Sequence, residues 1–178
     1  MQPNQNGTFK TKDMEIIKAS VEWAKAEVFS STFFILFGVI FIVASAGFWQ
    51  LGKTDLAKAF VMPALISGIL LMVIGIGLVY SNNARIKNFP SSYESDSSAF
   101  VLTEKNRAAK TISEYKTIVF KIIPIIIILA ALLIIFIESA QWRAIGITII
   151  AMMIVILIID SNAYSRIEAY SRQLELVE

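Results

Sequence analysis

The chain contains neither cysteine nor histidine. Without cysteine there is no disulfide, no thiolate metal ligand and no thiol nucleophile. Without histidine there is no Ser-His-Asp triad, no imidazole base and no ordinary zinc site. Charge is scarce as well: Asp, Glu, Lys and Arg make up 17% of the 178 residues, against roughly 25% in soluble domains. The formal net charge of +2 supplies no global basic field of the kind that holds nucleic acid. What is abundant is apolar. Hydrophobic residues are 56% of the chain and the mean hydropathy is +0.67, more than one soluble core of this length can hide. The composition therefore predicts an integral membrane protein, all-α in class.

Four stretches are nearly free of charge. Val28–Trp49 and Ala59–Tyr80 are 22 residues each with no charged side chain. As helices they rise about 33 Å, enough for a hydrocarbon core of roughly 30 Å. Ile118–Ile137 carries one charge, Lys121, and Ala144–Ile159 is uncharged between Arg143 and Asp160. The isoleucine-rich third and fourth stretches would read as buried strands in water. In lipid only a helix or a closed barrel satisfies its own backbone, so four transmembrane helices are expected. The divisions are a polar N-terminal arm with an amphipathic helix (1–27), a first membrane hairpin (28–80), a loop and helix (81–117), a second hairpin (118–160) and a C-terminal helix (161–178). The polar first 27 residues predict no cleavable signal peptide and a first span retained as an anchor.

Charge asymmetry orients the chain. Thirteen basic residues fall in the N-terminal, central and C-terminal segments, against Lys53, Lys58 and Arg143 in the two short turns. The positive-inside rule places both termini and the central segment in the cytoplasm, with Trp49 and Trp142 at the outer interface. The expected location is the inner (cytoplasmic) membrane of a bacterium.

The halves resemble each other. Ser81-Asn82-Asn83-Ala84-Arg85-Ile86 follows the second span, and Ser161-Asn162-Ala163-Tyr164-Ser165-Arg166-Ile167 follows the fourth. Glu22-Trp23-Ala24-Lys25 precedes the first span and Glu114-Tyr115-Lys116 the third. The pattern predicts a parallel internal duplication of two antiparallel hairpins. Outside the spans, Met14, Ile17, Val21, Ala24 and Val28 form one helical stripe, and Ile167, Tyr170, Leu174 and Val177 another. Thr103 before Glu104 predicts an N-cap opening a helix through Tyr115, with Ala109 and Ile112 on one face, while Asn88–Ser98 has a turn and loop composition. The stripes predict either a cap in which they pack on one another, a surface lying on lipid, or a docking face for a partner helix.

Candidate functional residues are few. Ser31, Gly38 and Ser45 recur every seven residues in the first span, and Ala57, Ala64, Gly68 and Gly75 form a small stripe in the second. Such stripes let helix backbones approach closely, or line a pore. Ser81, Asn82, Arg85, Ser161, Asn162 and Arg166 are the repeated polar set at the inner ends of spans two and four. They suit an anionic headgroup or small anion, or simply satisfy helix-end carbonyls. Lys121 with Asp160 and Glu138 with Arg143 sit at matching depths about the second turn, which predicts two interhelical charge pairs. A helical phase difference of about 100° works against both pointing across one seam. No span has an ionisable group at its centre, as proton-coupled transport usually requires. Neither catalytic, cofactor nor metal residues are expected. Two readings follow: a non-enzymatic accessory, scaffold or immunity-type subunit, or an oligomeric pore or carrier lined by Ser and Gly. The expected partners are the lipid bilayer and either further copies of the chain or another membrane protein, with no nucleic acid.

Overall fold

The computed structural model describes residues 5–176, with side chains from Met14 onward. Among the described residues the chain is 94% helix with no strand. The elements are α1 (Gln5–Leu51), α2 (Asp55–Ala59), α3 (Val61–Ser95), α4 (Ser97–Thr117), a π-helical turn (Ile118–Ile122), α5 (Ile123–Phe136) and α6 (Ala140–Glu175). Four helical stretches are long and apolar enough to cross a membrane: Met14–Leu51, Asp55–Ser95, Ser97–Phe136 and Ala140–Glu175. Each covers one of the charge-poor segments expected from sequence, the third ending at Phe136, one residue short of the expected Ile137.

These helices overshoot a bilayer. The 47 residues of α1 rise about 70 Å, more than twice the hydrocarbon thickness. The 35 of α3 and the 36 of α6 rise just over 50 Å. The surplus lies at the end where the basic segments gather, called here the basic end. There the two stripes and the central segment bury one another. Ile16, Trp23 and Ala24 of α1, Phe89 and Tyr93 of α3, Phe100 and Ala108 of α4, and Ile167, Tyr170 and Leu174 of α6 form one core. The stripes therefore pack together as a cap. Within it Ile17 and Val21 are half-buried, but Met14 is exposed, because the face that turns inward runs through Ile16, Ser20, Trp23 and Ala24. Val177 lies outside the described residues.

Two expectations about the central segment are corrected. The stretch expected as a loop is helical up to Ser95, with Pro90 inside α3. Phe89 and Tyr93 both stack edge-on against Phe100, and this aromatic cluster holds the helix past a proline that removes one backbone donor. The next helix is opened by Asp96, whose carboxylate accepts from the Ala99 N–H at 2.9 Å, and not by Thr103. Ala109 is exposed, and its neighbour Ala108 is the buried residue.

Within the membrane region α1 and α3 pack most intimately. A Cβ added to Gly38 would lie 2.8 Å from the Gly68 carbonyl, and one on Gly75 would lie 2.9 Å from the Ile35 amide nitrogen. Ser45 Oγ donates to the Val61 carbonyl at 2.7 Å. Contacts that climb one helix descend the other, so the two run antiparallel. Phe34, Leu71 and Ile159 bring α1, α3 and α6 together in a second core. The helix α5 is peripheral: it packs on α6 and the π-helical turn, and no Cα of it comes within 8 Å of α1 or α3. Only Ile123 and Ala130 of α5 are buried. The link between α5 and α6 is Ile137–Ser139, with Ile137 and Ser139 both extended; the short turn read from the sequence as Ser139–Arg143 would begin two residues later and close four residues later.

Candidate functional site

The polar chemistry of the described residues converges on the cap. Glu104, on the inner face of α4, is 5% exposed. A carboxylate so placed needs several partners to offset its lost hydration. Arg107, three residues on, supplies two hydrogen bonds, one from Nε to Oε1 at 2.9 Å and one from its terminal nitrogen to Oε2. The Tyr170 hydroxyl donates to Oε2 at 2.8 Å from α6. Ser20 Oγ of α1 lies 2.8 Å from that hydroxyl and donates to the Ile16 carbonyl. One buried carboxylate thereby ties α1, α4 and α6. The Tyr170 phenol is held above the usual tyrosine range, chiefly by burial and then by the Glu104 charge, so it stays protonated and donating at neutral pH.

An aromatic stack backs the network. Trp23 and Tyr170 lie nearly parallel with centroids 5.3 Å apart, and the Arg107 guanidinium sits 4.1 Å from the Trp23 ring centre. The Trp23 indole N–H is buried without a hydrogen-bond partner. Beside the stack, Arg166 donates from Nε to Glu27 Oε1 at 3.0 Å, joining α6 to α1 with both side chains largely shielded.

The sequence-expected polar set separates into two unlike groups. Asn82 is buried, and its Oδ1 accepts from Arg85 at 2.7 Å. Asn162 is exposed and donates back to the Ile158 carbonyl, and Ser161 does the same to Leu157. Arg166 is spent on Glu27, whereas Arg85 has no carboxylate within ion-pair distance among the described residues. Burial lowers the pKa of Arg85, and the neighbouring Arg107 charge lowers it further. Arg85 also faces the edge of the stack, 5.9 Å from the Trp23 ring centre. It lines a groove of about 630 Å³ between α3 and α4, together with Tyr80, Ser81, Ser92, Phe100 and Thr103.

The small residues form a different, apolar region. Ser31, Gly38, Ser45, Ala64, Gly68 and Gly75 are buried, and Ala57 is half-buried. Gly38 and Gly68 face each other across the α1–α3 contact. The expected charge pairs do not close. Lys121 is exposed and no ion pair joins it to Asp160, nor Glu138 to Arg143, among the described residues. Lys121 lies in the π-helical turn, whose wider winding shifts its phase, and Glu138 lies beyond the last turn of α5.

Sequence reasoning singled out neither Glu104 with Arg107 nor Glu27. The spacing of Glu104 and Arg107 suits an intrahelical pair, but nothing local marks one as buried. No family model matches the chain, and no curated protein or solved structure is significantly similar to it.

Proposed function

We propose that the chain is a non-enzymatic accessory or scaffold subunit of a membrane assembly, a class that includes immunity-type proteins. It works through helix–helix contacts in the bilayer and through its cap, which the distribution of basic residues assigns to the cytoplasm, with both termini on that side. The observation that carries this reading is the cap itself. Some 20 Å or more of each long helix extends beyond the hydrocarbon core, and those extensions are fastened by one buried polar network. A rigid platform outside the membrane suits a subunit that presents a surface. The peripheral α5 adds a membrane-facing stripe, with Ile125, Ile128, Leu132 and Ile135 exposed, that suits further copies or a membrane partner. The two hairpins read as a parallel duplication whose halves have diverged, Arg85 and Arg166 having acquired different partners.

The competing reading, an oligomeric pore or carrier, needs the Ser and Gly stripes to line a lumen. Burial of Ser31, and of Gly38 and Ser45 against α3, favours the scaffold reading. The absence of cysteine makes the test direct, because any introduced cysteine is the only one. Single cysteines at Ile128 on α5 and at Val43 on α1 are cross-linked in native membranes, and the purified chain is assayed for ion flux in liposomes. The expected result is a discrete cross-linked species through Ile128 and no flux. Specific flux through liposomes would overturn the reading.

A further inference from the structure

We propose that the groove between α3 and α4 binds the phosphate headgroup of an anionic phospholipid, with Arg85 as its principal contact. The argument begins with the ion pairs. Arg85, Arg107 and Arg166 stand in and beside the cap with Glu27 and Glu104, and Asp160 stands near Glu27. Arg107 is neutralised by Glu104 and Arg166 by Glu27. Arg85 is left over, a half-buried cation that makes no ion pair among the described residues and donates to the neutral Asn82 amide oxygen. Removing a guanidinium from water is costly; Glu104 and Glu27 lie near enough to favour its charge but are each engaged by another arginine, and an anion in the groove offsets the remaining cost.

The groove has the right shape and position for a lipid. Tyr80, Ser81, Ala84, Arg85, Asn88 and Ser92 succeed one another at helical spacing on one side of α3. The row starts at Tyr80, the last residue of the charge-free span, so the groove opens at the membrane boundary and leads away from it. A headgroup drawn in at that point keeps its acyl chains beside the exposed apolar face of α3, where Ile74 and Leu78 face outward. Ser81, one helical turn before Arg85, lines the same groove wall and brings a hydroxyl to it. The two carboxylates that also line the groove do not oppose an anion at Arg85. Glu104 is satisfied by Arg107 and Tyr170. Asp96 is the cap of α4, and it lies about 15 Å along α3 from Arg85. The equivalent position in the second half has no such site, because Arg166 is already paired.

The test uses the full chain in mild detergent and native mass spectrometry with phosphatidylglycerol or phosphatidylcholine. Wild type retains phosphatidylglycerol in preference to phosphatidylcholine. Arg85→Gln lowers phosphatidylglycerol retention about fivefold, the worth of one cation near an anionic surface, and leaves phosphatidylcholine unchanged. Ala84→Leu, which fills the groove and keeps the charge, gives the same loss and guards against misfolding of the Arg85 variant. Arg143→Gln, in the first turn of α6 at the opposite end of the bundle, changes nothing. Equal retention of the two lipids by wild type, or wild-type selectivity in both groove variants, overturns the site. Displacement of bound phosphatidylglycerol by millimolar glycerol phosphate overturns the lipid assignment, since a free phosphate ester then suffices.

Discussion

Replacing four glycines one at a time by alanine reads the α1–α3 contact directly. Gly68 and Gly38 are in the crossing, whereas Gly77 and Gly47 have nothing within 4 Å of where a Cβ would stand. At Gly68 the new methyl lies 2.7 Å from the Gly38 carbonyl oxygen and 3.0 Å from the Ile42 nitrogen. Carbon contacts settle near 3.5–4.0 Å, so the helix backbones must part by roughly 0.7–1 Å at this point. Overpacking of that kind costs about 1–3 kcal/mol. Alanine's better helix propensity returns about 1 kcal/mol, which leaves Gly68→Ala destabilised by about 0–2 kcal/mol, and by about 1–3 kcal/mol relative to Gly77→Ala. Gly77→Ala keeps only the propensity gain and is neutral or up to about 1 kcal/mol more stable. Gly38→Ala behaves like Gly68→Ala, since its Cβ meets the Gly68 carbonyl at 2.8 Å. One separation of the helices relieves both clashes, so the Gly38→Ala/Gly68→Ala double variant loses less than the sum of the singles. The assay is reversible unfolding in detergent followed by helical circular dichroism. If Gly68→Ala is as stable as Gly77→Ala, the helices are not in backbone contact at this crossing and the packing argument fails.

Tyr170→Phe removes the hydroxyl that joins Ser20 to Glu104 and should cost about 1–3 kcal/mol at neutral pH. Because the folded phenol has a raised pKa, its contribution is complete below about pH 10 and is lost as pH climbs through the higher folded value. Wild type should therefore lose stability more steeply above pH 10 than Tyr170→Phe, and parallel alkaline titrations of the two would refute the assignment. Asp96→Ala should cost about 1 kcal/mol through loss of the α4 cap while Thr103→Ala is nearly neutral, as measured by thermal unfolding. Reversal of one partner in the Glu27–Arg166 pair should cost several kcal/mol, roughly 3–5, and Glu27→Arg with Arg166→Glu should recover much of it. Proteolysis of the cap reads that recovery, and absence of rescue would show that the two side chains act separately.

The four long apolar helices were legible because a chain of this composition, if it enters lipid, has so little choice. With no water to satisfy a peptide group, each charge-free segment long enough to cross must close its own hydrogen bonds, and length and composition settle the matter locally. The small residues Gly38 and Gly68 were legible for a related reason, since helices in lipid gain most from close backbone approach. Local rules failed where tertiary contacts outweighed them. Asn88–Ser95 carries proline and serine, and its composition suits a loop, yet Phe89 and Tyr93 gain an aromatic partner in Phe100 only by staying helical. Thr103 had the right chemistry for an N-cap, but Asp96 reached the free amide first and the helix was already under way.

By itself, the sequence determined that the chain is helical, that four stretches suit a bilayer, and which helix faces carry small or apolar residues. These are properties of one helix at a time, set by periodicity and by transfer from water. Tertiary structure decided which charges meet. Tyr170 finds Glu104 across 66 positions and Ser20 across 150, and Arg166 finds Glu27 across 139. Among the described residues the same assembly left Arg85 without an ion-pair partner, although its sequence surroundings match those of Arg166. Electrostatic partnership depends on distance and dielectric after folding, and neither quantity is encoded by a residue's immediate neighbours.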